Sequence, residues 1–230
     1  MEPSSDSRSV SRATVGECWL ASIAHVLEYG LPHHDEDVDL LEVLGLCVHV
    51  TRPHCRDPII DEFGDPDVVA RTLLKFSKGV CMPERPFTYG ERIFNLGGID
   101  QFEWMVDRLK SKRETKSATI GLLIPGSRDR NQPCLTTVDA KIRNDRLELQ
   151  FFFRSQNILG RQYANLLALS KLQADLAARC SVEPGALQGY IASAHIYSFD
   201  VPAARNLLSG EGERVKDDYY RCGPGSIRSG

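Results

Sequence analysis

Apolar positions along this chain recur with two periods, and the switches between them mark its elements. Between residues 14 and 29, Trp19, Leu20, Ile23, Val26 and Leu27 share one face of a helix. Thr14 stands where an N-cap belongs and Gly30 where a helix stops. The His-His-Asp-Glu-Asp run at 33–37 reads as a polar loop, and Leu40 to Val50 as a buried strand. Asp57 to Pro66 has turn residues at both ends and reads as a loop. Asp67 to Phe76 has helical spacing, with Gly79 as its stop. Residues 83–98, rich in Pro and Gly, are expected to be irregular. Asp100 then caps an amphipathic helix that turns Phe102, Met105, Val106 and Leu109 inward. Its basic last turn suits the helix dipole.

Ala118 to Ile124 is predicted as a strand, and a loop leads from it to Cys134. Leu135–Ile142 and Arg146–Phe153 predict a hairpin about Asn144-Asp145, with Leu147, Leu149, Phe151 and Phe153 alternating. Asn165 to Cys180 is a helix with Leu166, Leu169, Leu172 and Leu176 on one side. Glu183-Pro184-Gly185 reads as a turn, Gln188 to Tyr197 as a strand and Pro202 to Leu208 as a short helix. The fold class is α+β, with one sheet and helices packed on it. Residues 1–13 are expected to be a disordered tail, 14–210 the folded domain and 211–230 a polar tail.

Composition changes this picture little. The chain is 42% hydrophobic and 26% charged, enough to bury a core. A net charge of −3 gives no bulk attraction to nucleic acid or anionic membrane. Small anions would need local arginines and lysines. The apolar runs fall short of a membrane span, and the N-terminus lacks the apolar core of a secretory signal. Seven scattered cysteines fit a reducing compartment, so a cytoplasmic location is expected.

The polar exceptions among the later strands carry the candidate chemistry. Cys134 follows a proline at a loop–strand junction, where a thiol is either a nucleophile or, more commonly, a small buried hydrophobe. Arg154 ends a run of three phenylalanines and needs an anionic partner, a ligand or a structural carboxylate. Asn165 opens a helix, where an N-cap is the simple role. His195 and Tyr197 share a strand face and could address one bound molecule, or could be bonded within the sheet. The Cys and His residues at 47–55 match no usual zinc-finger spacing, and no metal is expected.

Together these residues resemble a known family. Pro-Cys at 133–134, Arg154-Ser155 twenty residues on, Leu159-Gly160 leading to Asn165, and His195-x-Tyr197 are similar in order and spacing to the nucleotide site of the thymidylate synthases and pyrimidine nucleotide hydroxymethylases. Tyr89-Gly90 matches the preceding part. The resemblance implies a large mixed sheet, a homodimer through that sheet, a pyrimidine nucleoside monophosphate as substrate and 5,10-methylenetetrahydrofolate as co-substrate. Cys134 would add to C6 of the base, making C5 the carbon nucleophile. Arg154 and Ser155 would hold the phosphate, joined by Lys116 from the partner subunit. His195 and Tyr197 would hold the sugar, Asn165 would read the base edge, and Asn157 and Tyr89 would meet the folate.

Departures from the family pattern set the finer expectation. Thr72 falls where the family carries a glutamate that organises water, with Asp61, Glu62 and Glu84 as possible stand-ins. The N-terminal phosphate arginine falls near Asp35, and Arg128 or Arg130 could share the phosphate. The polar C-terminus contrasts with the apolar tail that seals a synthase against water. The expected reaction is hydroxymethylation of dUMP. Methylation to dTMP, hydroxymethylation of CMP or dCMP, and an inactive nucleotide-binding relative are the alternatives.

Overall fold

The computed structural model describes residues 8–35, 38–82, 87–128, 132–210 and 212–216. Among them the strands are β1 (Ser9–Arg12), β2 (Leu31–Asp35), β3 (Val38–Val50), β4 (Thr119–Gly121), β5 (Leu135–Arg143), β6 (Arg146–Phe153), β7 (Gln156–Asn157) and β8 (Glu183–Tyr197). The helices are α1 (Val15–Tyr29), α2 (Pro58–Phe63), α3 (Pro66–Phe76), α4 (Tyr89–Phe94), α5 (Gln101–Ser111), α6 (Gln162–Arg179) and α7 (Val201–Ser209). The strands form one mixed sheet in the order β1-β3-β8-β6-β5-β4, with β2 beside β3 and β7 beside β8. β1 and β6 run parallel to their neighbours β3 and β8, and the β3–β8, β5–β6 and β4–β5 pairs are antiparallel. This is the large mixed sheet with packed helices that the family resemblance implies.

Local chemistry explains the elements. Thr14 and Glu17 close a reciprocal capping box at the start of α1, and Trp19, Ile23 and Val26 are fully buried from it. Asn144 and Asp145 both take positive φ, 49° and 58°, the two-residue turn that matches the twist of β5 and β6. On α6, Leu166, Leu169, Leu172 and Leu176 are all buried. A polar anchor fixes that helix to the sheet: the buried Gln173 amide donates to the carbonyls of Leu147 (2.7 Å), Gly185 (3.1 Å) and Ala186 (3.0 Å). Gln173→Leu strands those acceptors and is expected to cost about 1–3 kcal/mol. An unchanged urea midpoint would show that the three contacts carry no net weight.

Several elements depart from the sequence expectation. His33, His34 and Asp35 belong to strand β2, not a loop, because each pairs across to Leu40, Asp39 and Val38. Residues 36–37 lie outside the described residues. Asp57 caps a helix, α2, with Pro58 at its first position, where the lost N–H costs nothing. Within the stretch expected to be irregular, Thr88 and Glu91 form a second capping box that starts α4. Ser9–Arg12, placed in the tail, pair with Cys47–Val50. Glu183-Pro184-Gly185 opens β8 instead of turning the chain; the turn falls at Ser181, whose φ is +54°. The 118–124 strand shrinks to β4.

One sheet face is covered by helices and the other is open. Cys47, Tyr190 and Phe152 lie in one row across β3, β8 and β6 on the open side, and His49, Gln188 and Gln150 in the next. Phe152 and Tyr190 stack there at 5.4 Å, both well exposed, above a shallow groove that Ser9 and Ser11 also line.

Candidate active site

The backbone that carries Cys134 is tied down from outside. Cys134 is the residue before β5, partly buried against the core. Its carbonyl accepts the Arg154 N–H at 2.9 Å. The Arg154 guanidinium donates from Nε to the Pro133 carbonyl (3.1 Å) and from Nη2 to the Gln132 carbonyl (2.8 Å). Tyr89 holds the other side: its hydroxyl accepts the Leu135 N–H at 3.2 Å. Its ring packs on Phe76, with the Lys75 Nζ 4.1 Å from the ring centroid. Gly90 must follow, because a Cβ there would collide with the Ser77 carbonyl.

The segment after β6 places the next group. The Asn157 Oδ1 accepts the Gly160 N–H at 2.9 Å, and the Ile158 N–H donates to the His195 carbonyl at 2.8 Å. Trp19 reaches across from α1, its Nε1 donating to the carbonyls of Ile158 (3.0 Å) and Leu159 (3.2 Å). α6 then starts after Arg161, with no side-chain cap. Asn165 lies one turn inside, its N–H on the Arg161 carbonyl, so it is no N-cap. His195 and Tyr197 do share a strand face, with ring centroids 5.2 Å apart.

Tyr89, Cys134, Ser155, Asn157, Asn165, His195 and Tyr197 line a single cavity. Thr72 lines it too. Arg154 does not: it is exposed, with its donors on the loop carbonyls. Lys116 and Arg128 are exposed as well and lie outside the lining, while Arg130 and Glu84 fall outside the described residues. Asp61 and Glu62 are exposed on α2 and do not line the cavity. Three cations that motif matching passed over do line it: Arg71 and Lys75 from α3, and Arg161. Helical spacing would have found them, since Arg71 and Lys75 flank Thr72 one turn apart and Arg161 precedes Asn165 by four residues. Among the described lining residues none is Asp or Glu. No group of three or more His, Cys, Asp or Glu that could hold a metal occurs among the described residues, and no helix there is long and apolar enough to cross a membrane.

Burial holds the His195 pKa below its ordinary value of 6.5, opposed by the Ser193 backbone and the Glu42 and Asp35 carboxylates. The unfolded chain therefore takes up a proton near pH 6.5 that the folded chain refuses. Stability is expected to fall as pH drops below that value, to level off beneath the folded pKa, and to owe His195 nothing above it. Melting temperatures between about pH 5 and 8 check this. His195→Asn should flatten the acid limb relative to wild type, and a parallel pair of curves would refute the assignment.

An α+β sheet protein with a cysteine in a cation-lined cavity, beside amide, imidazole and phenol groups, is equipped to bind and modify a small anionic molecule. The comparisons give the family. A profile described as thymidylate synthase matches residues 74–216. A provisionally named thymidylate synthase of Methanothermobacter thermautotrophicus is 33% identical over 217 residues, 87% of this chain and 98% of that one. One from Methanosarcina mazei, also provisionally named, is 27% identical over 207 residues, 88% of this chain and 95% of that one. The thymidylate synthase of Enterobacteria phage T4 is 26% identical over 125 residues, 54% of this chain and 44% of that protein. The chain belongs to the thymidylate synthase family. The chemistry of that family is one-carbon transfer from methylenetetrahydrofolate to C5 of a pyrimidine nucleotide.

Proposed function

We propose that this protein hydroxymethylates C5 of a pyrimidine nucleoside monophosphate, with dUMP as its first substrate. The observation that carries it is the convergence of Cys134, Ser155, Asn157, Asn165, His195 and Tyr197 on one cavity. Cys134 Sγ bonds to C6 and the displaced electron pair makes C5 nucleophilic. Methylenetetrahydrofolate supplies the carbon. The cavity fits it: Asn157 and Tyr89 offer polar contacts for a pterin, and the basic residues suit its carboxylates. Once that carbon is on C5, loss of the C5 proton expels tetrahydrofolate by cleaving the carrier's N5–carbon bond and leaves an exocyclic methylene on C5. The oxygen of a water then bonds to the new carbon, and the Cys134–C6 bond breaks to restore the ring. The Asn165 amide donates to O4 and accepts from N3–H of uracil. His195, held neutral by burial, hydrogen-bonds a sugar hydroxyl with Tyr197. Ser155 meets the phosphate. Arg154 would join it only by turning from the loop carbonyls.

Water is favoured over hydride as the final reactant by the polar composition of residues 217–230, where a synthase carries an apolar seal. The tail that would seal a synthase, residues 217–230, lies outside the described residues. Methylation to dTMP is the second reading, favoured by the names of the relatives. We place the catalytic domain at 14–210, extended by β1. We place a homodimer on the open sheet face, where Phe152 and Tyr190 lie exposed, with Lys116 reaching the partner's site. Incubation with methylenetetrahydrofolate and dUMP, dCMP, UMP or CMP, with products weighed, is the test. A gain of CH2O on one nucleotide supports hydroxymethylation. A gain of CH2 with dihydrofolate makes it a synthase. No product from folded protein leaves a binding-only relative.

A further inference from the structure

The two nitrogens of His195 stand in different surroundings. The residue lines the cavity and is yet more than nine-tenths buried. Its Nδ1 is shut away with no hydrogen-bond partner among the described residues, which leaves Nε2 to meet the open space. Nδ1, bonded to Cγ, is also the nitrogen nearer the strand. The strand is flanked there by negative charge. Glu42 stands directly opposite His195 across the β3–β8 ladder, so the two side chains share a face. Ser193, two residues before His195 and on that same face, donates its hydroxyl to Glu42 Oε1 and fixes the carboxylate beside the ring. The Ser193 backbone and the Glu42 and Asp35 carboxylates each draw protons to this imidazole, against the burial that keeps it neutral. Glu42 itself lies outside the cavity lining.

We propose that Glu42 is a positioning residue that sets the tautomer of His195, with the proton on Nδ1 and a bare Nε2 presented to the cavity. This rests on the reading of the cavity as a nucleotide site, and it gives that reading a direction: His195 accepts a hydrogen bond from the sugar and does not donate one. A neutral imidazole carries a single N–H, and what faces one nitrogen decides the role of the other. A carboxylate held on the Nδ1 side draws the proton there and turns the Nε2 lone pair to the ligand. The group so selected is a hydroxyl, which dUMP carries on its sugar. An ether oxygen in the same place offers a bare nitrogen nothing.

Nitrogen NMR on protein labelled in its histidines reads the tautomer without any ligand, at about pH 8, above the range in which histidine charges. His195→Asn identifies the signal, and the remaining histidines report whether each variant is folded. Wild type should show the proton on Nδ1. Glu42→Gln keeps the shape and still accepts from Ser193, but it lacks the charge and should move the proton toward Nε2. Glu42→Asp keeps the charge and should retain the wild-type tautomer. A wild type protonated on Nε2, or a glutamine variant with an unchanged ring, overturns the assignment. Binding reads the consequence, with three probes: dUMP, dUMP methylated on its sugar hydroxyl, and dUMP without that hydroxyl. Wild type should hold dUMP about tenfold tighter than either analogue, the worth of one hydrogen bond. A methyl ether that binds as well as dUMP overturns the acceptor role. Wild type that binds none of the three overturns the nucleotide reading and the sugar contact with it, whatever the tautomer.

Discussion

Cys134→Ala removes turnover by on the order of 10⁴-fold or more, while dUMP still binds. Covalent addition at C6 is what makes C5 reactive, and no other described thiol lines the cavity. Cys18 is buried and its pKa is pushed up to about 12, chiefly by burial, so it cannot substitute. Cys47 and Cys55 are exposed away from the lining. The loss should be chemical and not structural. The bonds that fix the loop use the carbonyls of Gln132, Pro133 and Cys134 and the N–H of Leu135, none of them the thiol. Single-turnover product formation together with dUMP affinity separates the two. Turnover within a few-fold of wild type would end the covalent mechanism. Lost dUMP binding would mean that the alanine disturbed the cavity itself.

Trp19→Ala should cost about 3–5 kcal/mol, a large share of the roughly 5–15 kcal/mol that holds a domain together. Trp19 is fully buried, its ring lies 4.7 Å from Tyr163, and its Nε1 serves two carbonyls at once. Truncation leaves a cavity under α6 and strands the carbonyls of Ile158 and Leu159. Trp19→Phe keeps most of the packing and loses only the donor, which should cost about 1–3 kcal/mol. Those carbonyls belong to the segment that positions Asn157 and Asn165, so the phenylalanine variant should weaken ligand binding even while folded. Urea denaturation reads the first effect and folate affinity the second. A phenylalanine variant as stable as wild type would show that the indole N–H adds nothing.

What was legible in the sequence followed from strong local rules. The Asn144-Asp145 turn, the Thr14 cap and the inward face of α5 each rest on neighbours within a few residues. β2 was not legible, because both its faces are exposed and it carries no alternation; pairing with β3 alone makes it a strand. α2 and α4 were hidden by length, six residues each, too few for a period to show. At the site, motif spacing found the residues that converge on the cavity. It could not show where the Arg154 guanidinium points, since spacing fixes a Cα and not a rotamer. Arg71, Lys75 and Arg161 line the cavity but belong to no motif, so only helical spacing marked them in the sequence: Lys75 stands three residues after Thr72, Arg71 four before Lys75 and Arg161 four before Asn165.

The hairpin makes the interval between Cys134 and Arg154 a molecular ruler. β5 has nine residues and β6 eight, the extra one absorbed by the register shift between Leu135 and Thr137, and a two-residue turn joins them. Twenty residues is thus the contour of a closed ladder, clasped at its far end by the Arg154 N–H on the Cys134 carbonyl. Descendants of this chain could lengthen the ladder by one rung, a residue in each strand, and push only the turn outward. A lone insertion in either strand would slide the thiol out of step with the arginine and turn every side chain beyond it to the wrong face. Length variation in this part of the molecule should therefore arrive in pairs.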